Sequence, residues 1–176
     1  MRHVSLFGLL ALAITAPVQA ALPVGAKAPD FVTRGARAGK PFAFQLASAL
    51  KRGPVVLFFF PAAFTPGCTI EARRFAEAAD DFAKAGATLI GLSADPLETL
   101  ARFSIEECRS KFPVAVATPA MIEGFDVRLA TTAQSNRTSY VINRNGRIAF
   151  AYAAKSPDGH VEGTLAAVRA MARPTK

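Results

Sequence analysis

Tryptophan is missing from the 176 residues, and tyrosine, cysteine and histidine occur only twice each. Acidic residues are also few, 13 against 21 lysines and arginines, for a formal net charge of +8. The cations are scattered, with no run of five or six, and there is no Trp and little Tyr to interleave with them. The surplus therefore reads as a solvated surface, not as a nucleic-acid or lipid-binding tract. With His3 in a segment read below as removed, His160 has no second histidine nearby to build a metal site and reads as structural; no metal and no cofactor are expected.

A hydrophobic run long enough to cross a bilayer is missing as well. Residues 6–14 are apolar apart from Gly8, but Thr15 and Pro17 stop the run well short of the about 20 residues a span needs. Arg2 and His3 precede it and Val18-Gln19-Ala20 follows it, which is the layout of a secretory signal peptide. Residues 1–20 are thus expected to be a signal cleaved after Ala20, and residues 21–176 a single domain in a secreted or periplasmic protein with no membrane span of its own. In such a compartment the ordinary expectation for two cysteines, Cys68 and Cys108, is one structural disulfide.

Alternating strand and helix signals fill the remainder. Residues 55–60 are a continuous apolar run of β-branched and aromatic types between Gly53-Pro54 and Pro61, the pattern of a strand buried on both faces. A helix is predicted over 65–85, with Thr65 as N-cap, Pro66 at the first helical position and Gly86 as its stop. Residues 88–92 make the next strand. Asp95-Pro96-Leu97-Glu98 opens a second helix, and Leu97, Leu100, Ala101, Ile105 and Cys108 recur at helical spacing, which puts Cys108 on its apolar stripe. A short strand over 114–117, a hairpin of 139–142 with 147–152 around Asn143-Arg144-Asn145-Gly146, and a helix over 161–172 complete the order. This predicts an α/β protein with a mixed central sheet and helices on both faces. A thioredoxin-like fold fits, although periodicity alone does not separate it from other open α/β sheets.

The position of Cys68 carries chemistry. A cysteine three residues beyond a helix start lies where unpaired backbone N–H groups and the positive end of the helix dipole favour an anion. The thiolate is the nucleophilic form of cysteine, so such a site favours reactivity over a passive staple.

The segment Phe58-Phe59-Phe60-Pro61-Ala62-Ala63-Phe64-Thr65-Pro66-Gly67-Cys68-Thr69-Ile70-Glu71 resembles the peroxiredoxin active-site signature, Pro-x-x-x-Thr-x-x-Cys with Glu three positions later. Gly25-Ala26-Lys27-Ala28-Pro29-Asp30-Phe31, Gly91-Leu92-Ser93-Ala94-Asp95-Pro96, Phe112-Pro113, Arg137-Thr138-Ser139-Tyr140-Val141-Ile142 and Gly159-His160 agree in order. Together they are most similar to the bacterioferritin-comigratory-protein (PrxQ) subgroup. The resemblance implies a thioredoxin-like fold and a thiol-dependent peroxidase acting on hydrogen peroxide and organic hydroperoxides, regenerated by a thioredoxin-like or other thiol reductant, in a subgroup that leans toward monomers. It implies that Cys68 attacks the peroxide and becomes a sulfenic acid, and that Thr65 holds the peroxide through its hydroxyl. Pro61 shields the sulfur, Arg137 stabilises thiolate and developing charge, and Glu71 orients Arg137 or a neighbour. Read without the resemblance, the same residues are an N-cap, a strand terminator, a solvated strand-end arginine and an exposed helix acid.

Many PrxQ-like proteins resolve the sulfenic acid with a cysteine five positions later; here that position is Arg73. By resemblance the resolving thiol is then Cys108, as an intramolecular disulfide. The alternative is that Cys108 fills the core and an external thiol resolves a one-cysteine enzyme. Two rival functions stay open. A thiol-disulfide oxidoreductase needs Cys-x-x-Cys where this chain has Cys68-Thr69-Ile70-Glu71, and a non-catalytic binding protein would hold Cys68 and Cys108 in a permanent disulfide. Preference among peroxides is expected to depend on the pocket around Phe64 and Phe125.

Overall fold

The structure, a computed structural model, describes residues 21–172; the expected signal segment, residues 1–20, lies outside the described residues. In chain order the elements are β1 (Val32–Arg37), β2 (Lys40–Gln45), α1 (Leu46–Leu50), β3 (Val55–Phe59), α2 (Pro66–Lys84), β4 (Thr88–Ser93), α3 (Leu97–Glu106), β5 (Val114–Val116), α4 (Pro119–Gly124), β6 (Thr138–Ile142), β7 (Ile148–Ala153) and α5 (His160–Ala172). The seven strands form one sheet in the order β2-β1-β5-β4-β3-β6-β7. β4 pairs parallel with β3 and β5, and the other neighbours are antiparallel, so the sheet is mixed as expected.

β3 explains why both faces are covered. All five of its residues are buried, and successive side chains point to opposite faces. Val55, Leu57 and Phe59 enter one core with Leu46 and Leu50 of α1 and Met121 and Ile122 of α4. Val56 and Phe58 enter the other with Ala72, Phe75 and Phe82 of α2, Leu100 and Phe103 of α3, and Val168 of α5. Phe58 and Phe75 stack at 4.3 Å between centroids. Each such ring removed from water stabilises the fold by about 2 kcal/mol.

Four elements escaped the sequence reading. The hairpin β1–β2 has a polar, glycine-containing first strand and an edge second strand carrying Pro41, and it turns on Ala38-Gly39, both at positive φ (50° and 76°). That geometry ordinarily announces itself as Asn-Gly or Asp-Gly. The helices α1 and α4 have five and six residues, too short to show a period.

Two expectations are corrected. The second helix ends at Glu106, so Cys108 is not on its stripe but in the turn beyond it, and Ile105, assigned to that stripe, is exposed. Asp95 does not cap α3, whose N-cap is Pro96 with no side-chain cap; its carboxylate is used elsewhere.

Candidate active site

Cys68 is positioned by a short loop between two prolines. Phe60 N–H still bonds Leu92 O at 3.0 Å, but Pro61 has no N–H, so the chain leaves the sheet there and re-enters regular structure at Pro66, the first residue of α2. Asp95 pins the loop: its Oδ2 accepts from Ala63 N–H at 2.8 Å and from the Ser93 hydroxyl at 2.6 Å, and Ser93 Oγ also lies 3.4 Å from Pro61 O. Phe64 sits at φ 64°, a conformation that costs a non-glycine residue about 1 kcal/mol or more. Its ring is held edge-on to Phe103 at 5.2 Å and lies 5.3 Å from the Arg102 guanidinium carbon.

The loop delivers Cys68 to the third position of α2, buried at 2% exposure, among first-turn N–H groups that favour an anion. Arg137, just ahead of β6, lies against it: Nη2 donates to Cys68 Sγ at 3.5 Å, Nε donates to Lys155 O at 3.1 Å, and Nη1 pairs with Glu71 Oε2. Gly67 permits this approach, because a Cβ there would stand 2.9 Å from Arg137 Nη2. Glu71 follows Cys68 by three residues on the same helix face and is fully buried. Burial raises its pKa from 4.5 to about 7, with Arg137 acting in the opposite direction. Neither Arg137 nor Glu71 is exposed, as both would be if read without the family resemblance.

Behind Glu71 stands His160, at the start of α5 and also fully buried. Its Nδ1 lies 2.8 Å from Ser139 Oγ and 3.6 Å from Glu71 Oε1, and the ring meets Tyr152 edge-on at 4.8 Å. Burial, with Arg137 adding to it, lowers the His160 pKa to about 4, so the ring is neutral near pH 7.

Thr65 occupies the N-cap position without a side-chain cap: its hydroxyl donates to Ala62 O at 2.9 Å. Its lone pairs remain able to accept from a peroxide O–H, whereas donation toward sulfur would require breaking the Ala62 bond. Cys108 is a free thiol like Cys68, so no staple joins them here. It is fully buried on the α2 side of the sheet, and burial first, then Glu107, pushes its pKa well up.

Sequence reasoning missed Asp95, Ser93, Ser139 and Lys155 as supports, and it set His160 aside. Ser93, Asp95, Ser139 and His160 lie in segments that match the family pattern, which was their signal, and Lys155 lies in none. Gly159, ahead of His160, has φ +83°, and a Cβ there would meet the Tyr152 hydroxyl at 3.0 Å. Phe125 is corrected. It packs with Phe31, Phe59 and Tyr140 in the core across the sheet from Cys68, and of the two phenylalanines only Phe64 borders the site. Among the described residues, no three His, Cys, Asp or Glu side chains are grouped to hold a metal, and no helix is long and apolar enough to cross a membrane.

A single buried thiol at a helix start, facing an arginine on a seven-stranded mixed sheet, is the arrangement of thiol peroxidases with the thioredoxin-like fold, and comparison with known proteins agrees. The AhpC/TSA family model matches residues 24–151, and the chain belongs to that family. A Mycobacterium tuberculosis protein whose name places it among the peroxiredoxins is 36% identical over 132 residues, 72% of this chain and 85% of the relative. Chloroplastic peroxiredoxin Q of Sedum lineare is 30% identical over 155 residues, 84% of this chain and 78% of the relative. The crystal structure of peroxidoxin BcpB from Mycobacterium tuberculosis superimposes with a TM-score of 0.74 at 33% identity, covering 84% of this chain and 97% of that one. The protein is a thiol peroxidase whose substrate is a peroxide and whose electrons come from a thiol.

Proposed function

We propose that Cys68 is the peroxidatic residue of this enzyme. The observation that carries the reading is the Arg137 Nη2 contact with Cys68 Sγ at 3.5 Å in the first turn of α2. The thiolate sulfur attacks one oxygen of hydrogen peroxide or an organic hydroperoxide. An S–O bond forms as the O–O bond breaks, and the departing oxygen takes a proton to leave as water or an alcohol. Arg137 stabilises both the starting thiolate and the charge that moves to the leaving oxygen. Thr65 accepts from the peroxide O–H, Pro61 keeps an N–H and water away from the sulfur, and Glu71 holds Arg137 in place.

The sulfenic acid is then attacked by the Cys108 sulfur, which expels water and forms a Cys68–Cys108 disulfide that a thiol reductant reopens. A second reading, resolution by an external thiol, is favoured by the complete burial of Cys108 and its raised pKa. On the strength of residues 1–20 we place the enzyme outside the cytoplasm, with a thioredoxin-like donor of that compartment, and we take it to act as a monomer.

Mass spectrometry after one equivalent of peroxide tests this. The expected product is an intramolecular disulfide, and Cys68→Ser is expected to consume no peroxide. A Cys68→Ser protein that still turns over would refute the assignment. Full turnover of Cys108→Ser with a small thiol would select the external route.

A further inference from the structure

One cation, Arg137, faces two groups that can each become anionic. Its Nη2 serves Cys68 and its Nη1 serves Glu71. In a site closed to water, charge spent on a carboxylate is charge withheld from a thiolate, so the protonation of Glu71 decides how strongly Arg137 acts on sulfur.

The surroundings of Glu71 bear on that protonation. Its Oε2 has Arg137, but its Oε1 is buried without a hydrogen-bond partner. The nearest polar group is His160 Nδ1 at 3.6 Å, beyond hydrogen-bond length, and that nitrogen is already engaged with Ser139 Oγ at 2.8 Å. The result does not depend on the tautomer. If Nδ1 accepts from the Ser139 hydroxyl it has no proton to offer, and if it carries the proton it donates that proton to Ser139. Only a doubly protonated ring would make a charged partner for Glu71, and burial opposes it. The charged groups facing Glu71 are therefore Arg137 from the residues entering β6, His160 from α5 and Cys68 one turn earlier on α2. Glu162, further along α5, acts on the His160 side.

We propose that His160 and Ser139 are positioning residues of the peroxidase site: by denying Glu71 Oε1 a donor they disfavour the ionised carboxylate, and so leave more of the charge of Arg137 to the sulfur. This rests on the assignment of Cys68 and Arg137 made above. The raised pKa of Glu71, about 7, agrees with the geometry, since an unpartnered buried oxygen disfavours the ionised form. Neither His160 nor Ser139 touches the reacting atoms; they act through Glu71 and then through Arg137.

The test is the rate of Cys68 alkylation by iodoacetamide across pH, on the full chain, with modification confirmed at Cys68 by peptide mass. The wild-type profile is expected to show an inflection near pH 7 that belongs to Glu71, which Glu71→Gln abolishes. His160→Gln supplies an N–H to Oε1 and favours the ionised carboxylate. It should slow Cys68 alkylation about tenfold at neutral pH, the size of a change of about 1.4 kcal/mol in what Arg137 supplies to the sulfur. Ser139→Ala, which frees Nδ1 to donate to Glu71, should move the profile in the same direction, and it serves if His160→Gln does not fold. The shift must vanish when either change is made on the Glu71→Gln background. An unshifted profile in His160→Gln and Ser139→Ala, or a shift of equal size with Glu71→Gln present, overturns the proposal. If Arg137→Gln leaves the alkylation profile unchanged, the assignment of Arg137 fails instead, and the two failures are told apart.

Discussion

Arg73 Nε meets Glu107 Oε2 at 2.7 Å, which ties the fifth residue after Cys68 to the residue immediately before Cys108. It is the first rung of a ladder. Glu77 pairs with Arg109 at 3.3 Å and Asp80 with Lys111 at 3.2 Å, so one face of α2, at spacings of four and three, holds alternate residues of the turn that carries Cys108. That turn is strained: Arg109 and Ser110 lie at φ 49° and 57°, consecutive non-glycine residues in the left-handed region. Strain of about 1–3 kcal/mol per residue, about 2–6 kcal/mol for the two, exceeds what three ion pairs of about 0–1 kcal/mol each supply, so burial of Cys108 and Phe112 must hold the turn as well. A loss on the α2 side shifts the balance toward opening.

Arg73→Ala should therefore speed formation of the Cys68–Cys108 disulfide after peroxide. Loss of about 0.5–1 kcal/mol from the closed turn corresponds to roughly a two- to fivefold rise in the open population. Raised salt should act in the same direction, because the other two pairs are exposed. Rapid quenching with a thiol-blocking reagent and counting of free cysteines measures the rate. An unchanged disulfide rate, with peroxide reduction also unchanged, would mean that the ladder does not gate Cys108.

The ladder shows where sequence reading stops. The buried strand at 55–59, the helix after it and the motif from Pro61 to Glu71 were legible because apolar runs, prolines and the Cys–Thr spacing are local. Arg137 could be tied to Cys68 only through a family motif, since 69 residues separate them and the contact forms through the β3–β6 pairing. The surroundings of His160 are hidden for the same reason: a histidine before a helix reads as structural, and only the fold sets Glu71 and Ser139 beside it. Cys108 was placed on a helix because Leu97, Leu100 and Ala101 continue in phase. The helix ends when Glu107 and its neighbours turn toward the cations and acids of α2, a tertiary pull that periodicity does not contain.

Gly67 is a sharper probe of Arg137 than any change of the arginine itself. Alanine at this position adds one methyl group 2.9 Å from Nη2, while Lys155 O and Glu71 hold the other two guanidinium nitrogens. The guanidinium must tilt away from sulfur. A displacement of about 1 Å at a positioning group costs about 100-fold, so Gly67→Ala should lower kcat/KM for peroxide by that order. Alanine is also the better helix former by about 0.5–1 kcal/mol, so thermal stability should not fall through propensity. Lost activity with retained Tm is the expected pair of readings; retained activity would remove the 3.5 Å contact from the mechanism.

The two buried titratable groups behind Arg137 act on stability in opposite directions. Glu71 has its pKa raised from 4.5 to about 7, so between those values the folded protein keeps a proton that the unfolded chain has lost, and stability falls as pH rises. His160 has its pKa lowered from 6.5 to about 4, so between those values the unfolded chain holds the extra proton, and stability rises with pH. Each slope is at most about 1.4 kcal/mol per pH unit, and over pH 4.5–6.5 the two oppose each other. Urea denaturation at half-unit steps should show a nearly flat contribution from the pair in wild type. Glu71→Gln removes the falling component and should leave stability rising from about pH 4 to 6.5. His160→Phe, which offers no donor to Glu71, removes the rising component and should leave stability falling from pH 4.5 to about 7. The Ser139 hydroxyl it orphans carries no charge and lowers stability equally at every pH. Both variants share all other titrating groups with wild type, so the difference curves isolate the pair. Three parallel curves would show that neither Glu71 nor His160 is held away from its ordinary protonation.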